Sequence, residues 1–126
     1  LMTDWKKESS ADADLIKSAL MISGLGDLEP VRLSFRNQKL KLSPEVAAQV
    51  SLLKQITATR CPLLVAVGER ETDDYRLQSR ELTHYWRAHG SSAELMELQG
   101  RNHFDAVIEW ADPVSTLFKA SRALLN

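Results

Sequence analysis

The stretch Pro62-Leu63-Leu64-Val65-Ala66-Val67-Gly68 decides the fold. Its apolar run is continuous rather than alternating and is bounded by proline and glycine, the pattern of a strand covered by helices on both faces. Strands of that kind belong to parallel sheets, where each neighbour is reached by a crossover long enough to hold a helix. The sequence that follows supplies one. From Asp73 to His89, Tyr75, Leu82, Tyr85 and Trp86 share one helical stripe, Arg76, Arg80, Glu81 and Arg87 lie mostly off it, and Gly90 stops the helix. Ala93 to Leu98 then reads as a short strand closed by Gln99-Gly100.

Working outward, the apolar residues from Ala19 to Ser23, closed by Gly24 and Gly26, predict a third strand. Residues 27–42 mix charges with Pro30 and scattered Leu and Phe, an irregular excursion with room for one short helix. Ser43-Pro44 is a helix start, since the hydroxyl can accept an orphan N–H and the proline ring presets φ for the first turn. With Val46, Val50 and Leu53 at helical spacing, it predicts a helix from Pro44 to Leu53. Asp112-Pro113 repeats that start and predicts a last helix through Leu117, Phe118 and Leu124. Strands alternating with helices give an α/β class with right-handed crossovers between parallel strands.

Composition narrows the function. The 126 residues carry 16 Lys plus Arg against 17 Asp plus Glu, a net charge of -1, and no basic cluster exceeds Lys6-Lys7. That balance argues against a nucleic-acid partner. With 44% apolar and 26% charged residues the chain has an ordinary globular composition, without repeats or a domain-separating linker, so it is treated as one unit. The longest wholly apolar run, Leu63 to Val67, is far short of the roughly 20 residues of a membrane span. The first residues lack the regions of a signal peptide, and a soluble cytoplasmic protein is expected. Cys61, the single cysteine, suits a reducing compartment and reads as a small buried hydrophobe. No cofactor or metal is expected.

In such sheets chemistry collects in loops at the carboxyl ends of the strands. One loop reads Glu69-Arg70-Glu71-Thr72-Asp73-Asp74, and the next reads Gly100-Arg101-Asn102-His103-Phe104-Asp105. A carboxylate after one strand and a histidine after its neighbour can form an acid–histidine pair, in which the acid fixes the imidazole tautomer and stabilises its protonated form. Asp73 and Asp74 are better explained as cap or first-turn acids of the following helix. Glu71 is earlier and less explained by capping. His84 and His89 fall on the helix, without a zinc-ligand partner at the usual spacings. No serine stands in Gly-x-Ser-x-Gly: Ser23 precedes Gly24 but has no glycine two residues before it, and Ser91 and Ser92 follow a helix. Walker and Rossmann glycine motifs are absent as well.

Several stretches together resemble the C-terminal part of an α/β-hydrolase of the esterase and kynurenine formamidase (arylformamidase) type. They are Ser23-Gly24-Leu25-Gly26-Asp27-Leu28-Glu29-Pro30; Leu63 to Gly68 leading to Glu71-Thr72-Asp73-Asp74-Tyr75 and Gln78-Ser79; and Gly100-Arg101-Asn102-His103-Phe104. The resemblance implies that His103 is the general base and Glu71 the triad acid, with Asp73 as the fallback because relatives often carry Asp at the Glu71 position. It also implies a nucleophilic serine and oxyanion donors upstream of residue 1, with Thr3-Asp4-Trp5 following the helix behind the nucleophile turn. The chain would then be a partial domain of about three parallel strands, inactive alone, whose parent cleaves small-molecule esters or amides.

A second reading is a non-catalytic α/β module that binds a ligand or partner through the same rim, or a degenerate hydrolase fragment. An upstream Gly-x-Ser-x-Gly separates the two. The first strand would leave an exposed edge, open to pairing with a second copy of the chain. Phe35, Arg36 and Trp110 are candidate pocket-lining residues by position.

Overall fold

The computed structural model describes residues 15–58 and 61–125, together with Lys7. Thr3-Asp4-Trp5, read above as following a preceding helix, lie outside the described residues. Three described strands form one parallel sheet in chain order: β1 (Ala19–Ile22), β2 (Leu63–Gly68) and β3 (Ala93–Leu98). Ala19 lies opposite Leu63 and Ile22 opposite Ala66, while Leu63 faces Ala93 and Gly68 faces Leu98. As the central strand, β2 is buried at every residue.

The continuous apolar run of β2 serves two cores. Leu63 and Val65 pack with Leu82 and Trp86 of α5 (Asp73–Ala88), and Leu64 and Ala66 pack on the other face with Ala106 and Leu117. Burying each of the large side chains contributes about 1.5–3 kcal/mol. The Trp86 indole Nε1–H donates to the Cys61 carbonyl at 2.9 Å, so this aromatic is placed by a bond as well as by packing. Burial pushes the Cys61 thiol above its ordinary pKa, as expected of a structural rather than a reactive cysteine. Of the α5 stripe, Leu82 and Trp86 are buried while Tyr85 is exposed; Gln78, Ser79 and Thr83 fill the rest of the inward face.

The structure corrects four boundaries. The 27–42 excursion holds two short helices, α1 (Glu29–Leu33) and α2 (Asn37–Leu40). The helix expected from Pro44 to Leu53 breaks at Ser51 into α3 (Pro44–Val50) and α4 (Leu52–Gln55). Ser51 is fully buried, and its hydroxyl donates to the Ala47 carbonyl at 2.6 Å and accepts the Leu28 N–H at 2.8 Å, so a tertiary anchor replaces helix continuity. Ala47, not Val46 or Val50, faces inward.

The second pair of corrections lies after β3. Residues read as loop from His103 onward form α6 (His103–Trp110). The last helix, α7 (Thr116–Ala123), starts three residues later than the Asp112-Pro113 signal suggested. The Asp112 carboxylate accepts the Val114 N–H at 3.0 Å within its own turn, and Ser115 caps α7 by accepting from Phe118 at 3.0 Å. No helix among the described residues is long and apolar enough to cross a membrane.

Candidate active site

Two turns at the carboxyl end of the sheet bring Glu71 and His103 together. After β2 the chain reverses immediately: the Glu71 N–H donates to the Gly68 carbonyl at 3.1 Å. The Arg70 N–H donates to the Arg101 carbonyl at 2.9 Å and the Glu69 N–H to the Leu98 carbonyl at 3.0 Å, lacing this turn to the one after β3. Such close lacing requires glycine at 68, because a Cβ there would lie 2.4 Å from the Arg101 carbonyl oxygen. Gly100 supplies the left-handed residue of the second turn, φ +71°, and its N–H donates to the Glu69 carboxylate at 2.6 Å.

Asn102 then starts α6. Its side-chain oxygen accepts from Phe104 at 2.9 Å and Asp105 at 3.1 Å, and the Asp105 carboxylate accepts the Asn102 N–H in return, a capping box. The cap sets His103 as the first helical residue, with its ring against Glu71. His103 Nδ1 lies 2.7 Å from Glu71 Oε2. The Glu71 side chain is 0% exposed and that of His103 45%, so the pair joins a sequestered acid to an imidazole open to the surface. Glu71 Oε1 accepts two further bonds, from the Gly68 N–H at 2.7 Å and the Ser23 hydroxyl at 2.5 Å. Tyr75 lies 4.8 Å from the imidazole by ring centroids and Phe104 5.6 Å, edge-on, which confines the ring plane.

The other sequence candidates fall elsewhere. Asp73 pairs with Arg76 at 2.5 Å, its side chain 93% exposed, and does not reach His103. Neither Asp73 nor Asp74 caps α5; Thr72 is the N-cap, and the two acids sit in the first turn, where the helix dipole favours them. The His89 Nδ1 lies 2.7 Å from the Tyr85 carbonyl within its own helix end. Among the described residues no group of three or more His, Cys, Asp or Glu side chains is placed to hold a metal ion. Phe35 and Arg36 do line a cleft of about 240 Å³, with Leu25, Val31, Asp74 and Tyr75. Trp110 is not part of it and bonds instead to Ser121 at 3.0 Å. Tyr75 is shared by the cleft and the imidazole.

The sequence carries no signal for Ser23 as a partner of Glu71, since their separation of 48 positions is bridged by the β1–β2 register. The α6 start was readable in principle from Asn102 and Asp105 at capping-box spacing before Ala106, Val107 and Ile108.

The three parallel strands in chain order, with helices on both faces, match the C-terminal part of an α/β-hydrolase fold. Solved structures agree. A protein described as a thioesterase from Silicibacter superposes with a TM-score of 0.68 at 24% identity, over 82% of this chain and 37% of that one. A thermophilic esterase from Thermogutta terrifontis superposes at 0.60 with 16% identity, over 94% and 45%. In sequence, the chain is similar to the kynurenine formamidases of Danio rerio, 28% identical over 118 residues, and Salmo salar, 30% identical over 121. Each match takes in 89% of this chain but only 39% and 40% of the relatives, so the chain spans about two fifths of their length. No family model matches.

Proposed function

We propose that this chain carries the acid and base of a cytoplasmic serine hydrolase that cleaves small carboxylic esters or amides, N-formyl aryl amides among them, by acyl transfer. Residues 1–126 form part of its α/β-hydrolase domain, and the attacking serine and oxyanion donors precede residue 1, on strands that would pair along the edge of β1 that no described strand covers. The hydrogen bond from His103 Nδ1 to the buried Glu71 carboxylate carries the reading. Similarity to kynurenine formamidases supports the bond class.

With its proton held on Nδ1 by Glu71, the imidazole leaves Nε2 as a base. Nε2 takes the serine proton as the hydroxyl attacks the carbonyl, and Glu71 stabilises the imidazolium that forms. The tetrahedral intermediate collapses as His103 returns the proton to the leaving alcohol or amine. Water then enters by the same route and releases the acid. The cleft beside Tyr75 offers an apolar wall with Arg36 and Asp74 at its rim, suited to one side of the substrate.

The test is expression of the reading frame with the sequence preceding Leu1, assayed on p-nitrophenyl esters and N-formylkynurenine. His103→Ala is expected to lower kcat by about four to six orders of magnitude. Wild-type turnover in that variant, or no serine labelled by a fluorophosphonate, contradicts the reading.

A further inference from the structure

We propose that Ser23 is a positioning residue of the acid–histidine pair: its hydroxyl, presented from a left-handed backbone at the end of β1, holds the Glu71 oxygen that does not face the imidazole. The catalytic meaning of this inference rests on the function proposed above; the bond itself does not.

The backbone argues first. Ser23 still continues the ladder, its N–H donating to the Ala66 carbonyl at 2.8 Å, but its φ is +51°. That region is unfavourable for any residue with a Cβ, whereas glycine enters it freely. A glycine would therefore make this turn at lower cost. What serine adds is Oγ, and Oγ is 2.5 Å from Glu71 Oε1. Ser23 is 6% exposed, so this hydroxyl is not on display to solvent.

The geometry of the carboxylate argues second. Oε2 faces His103, and Oε1 accepts from Gly68 and Ser23. The Gly68 N–H belongs to the same tight turn as Glu71 and moves with it. Ser23 is the one of the three donors that stands at the end of β1, directly after Ile22, so it ties the turn after β2 to the neighbouring strand and fixes the plane of the carboxylate against the sheet. A glutamate has one more rotatable bond than an aspartate, and a second-strand tether removes that freedom. Because the single hydroxyl proton of Ser23 is given to Glu71 on the side away from His103, this serine acts through the acid and is not the attacking nucleophile.

The test compares Ser23→Gly with Ser23→Ala in the full-length hydrolase. Both delete the hydroxyl; glycine relieves the left-handed backbone and alanine does not, so stability and positioning separate. A positioning role predicts that kcat falls by a similar factor in both, about tenfold to a hundredfold for one supporting hydrogen bond, with KM unchanged, even though the glycine variant melts above the alanine variant. It also predicts that the downfield Nδ1–H proton resonance of His103 shifts or broadens in both variants. Activity that follows melting temperature, impaired in alanine and normal in glycine, overturns the proposal, as does an unchanged resonance. If His103→Ala leaves turnover intact, the hydrolase reading fails, and the resonance alone still decides whether Ser23 positions Glu71. Loss of fluorophosphonate labelling in the Ser23 variants, with the upstream serine intact, would overturn it in favour of Ser23 as the nucleophile.

Discussion

Glu71 and Asp73 are two residues apart on one turn, and each lies within 2.7 Å of a nitrogen partner. Their surroundings differ completely. The Glu71 side chain is 0% exposed and takes bonds from His103, Gly68 and Ser23; that of Asp73 is 93% exposed and meets Arg76 alone among the bonds described. An exposed ion pair is screened by water and contributes little, whereas a sequestered carboxylate left without its donors is expensive, so the protein has strong reason to keep the first arrangement and little to keep the second. Distance does not distinguish a positioned acid from a surface pair. The number of fixed donors and the exclusion of water do.

The largest effect should come from breaking that contrast at Glu71. Glu71→Gln is expected to lower kcat of the full hydrolase by about four orders of magnitude, because an amide cannot stabilise the imidazolium. Asp73→Ala should leave kcat and the melting temperature unchanged, and the ratio of the two effects measures the difference between the sites. Gly68→Ala comes next. Its Cβ would meet the Arg101 carbonyl at 2.4 Å, and the turns must part, with an expected loss of about 1–3 kcal/mol in urea unfolding and a lower kcat.

Asn102→Ala removes the cap that sets His103 at the start of α6, and should cost about 1 kcal/mol by the same unfolding measurement, with a smaller fall in kcat than Gly68→Ala. The smallest effect concerns Asp27, which lies on the excursion and outside the pair. Burial would raise its carboxyl, but the Glu29 N–H, the Ser51 hydroxyl and Lys54 outweigh it and hold the pKa below the ordinary carboxylate value. The folded state therefore binds this proton less readily than the unfolded chain, so its stabilisation is present above the unfolded pKa and is lost as pH falls below about 4. Thermal melts of wild type and Asp27→Asn from pH 6 down to pH 3 should converge at the acid end.

What could be read from the sequence followed the strength of local signals. The Pro62–Gly68 run gave a central buried strand because both helical layers demand apolar side chains from it, and the Asp73–His89 stripe and Ala93–Leu98 run placed the two turns that bear Glu71 and His103 on neighbouring strands. Other features were set by tertiary contacts. Ser51 breaks a helix because its hydroxyl serves Leu28 and Ala47 at once. The bond from Ser23 to Glu71 depends on strand register and a left-handed backbone that its neighbours in sequence do not announce. The start of α6, by contrast, is a local signal, carried by Asn102 and Asp105 at capping-box spacing.

The coupling between Glu71 and His103 is measured most directly by a double-mutant cycle in the full-length hydrolase, with kcat/KM determined for Glu71→Gln, His103→Ala and the two combined. If the carboxylate acts through the imidazole, the double variant is no slower than His103→Ala alone. Losses that multiply would mean that the two side chains act independently and would contradict the pairing on which the proposed function rests.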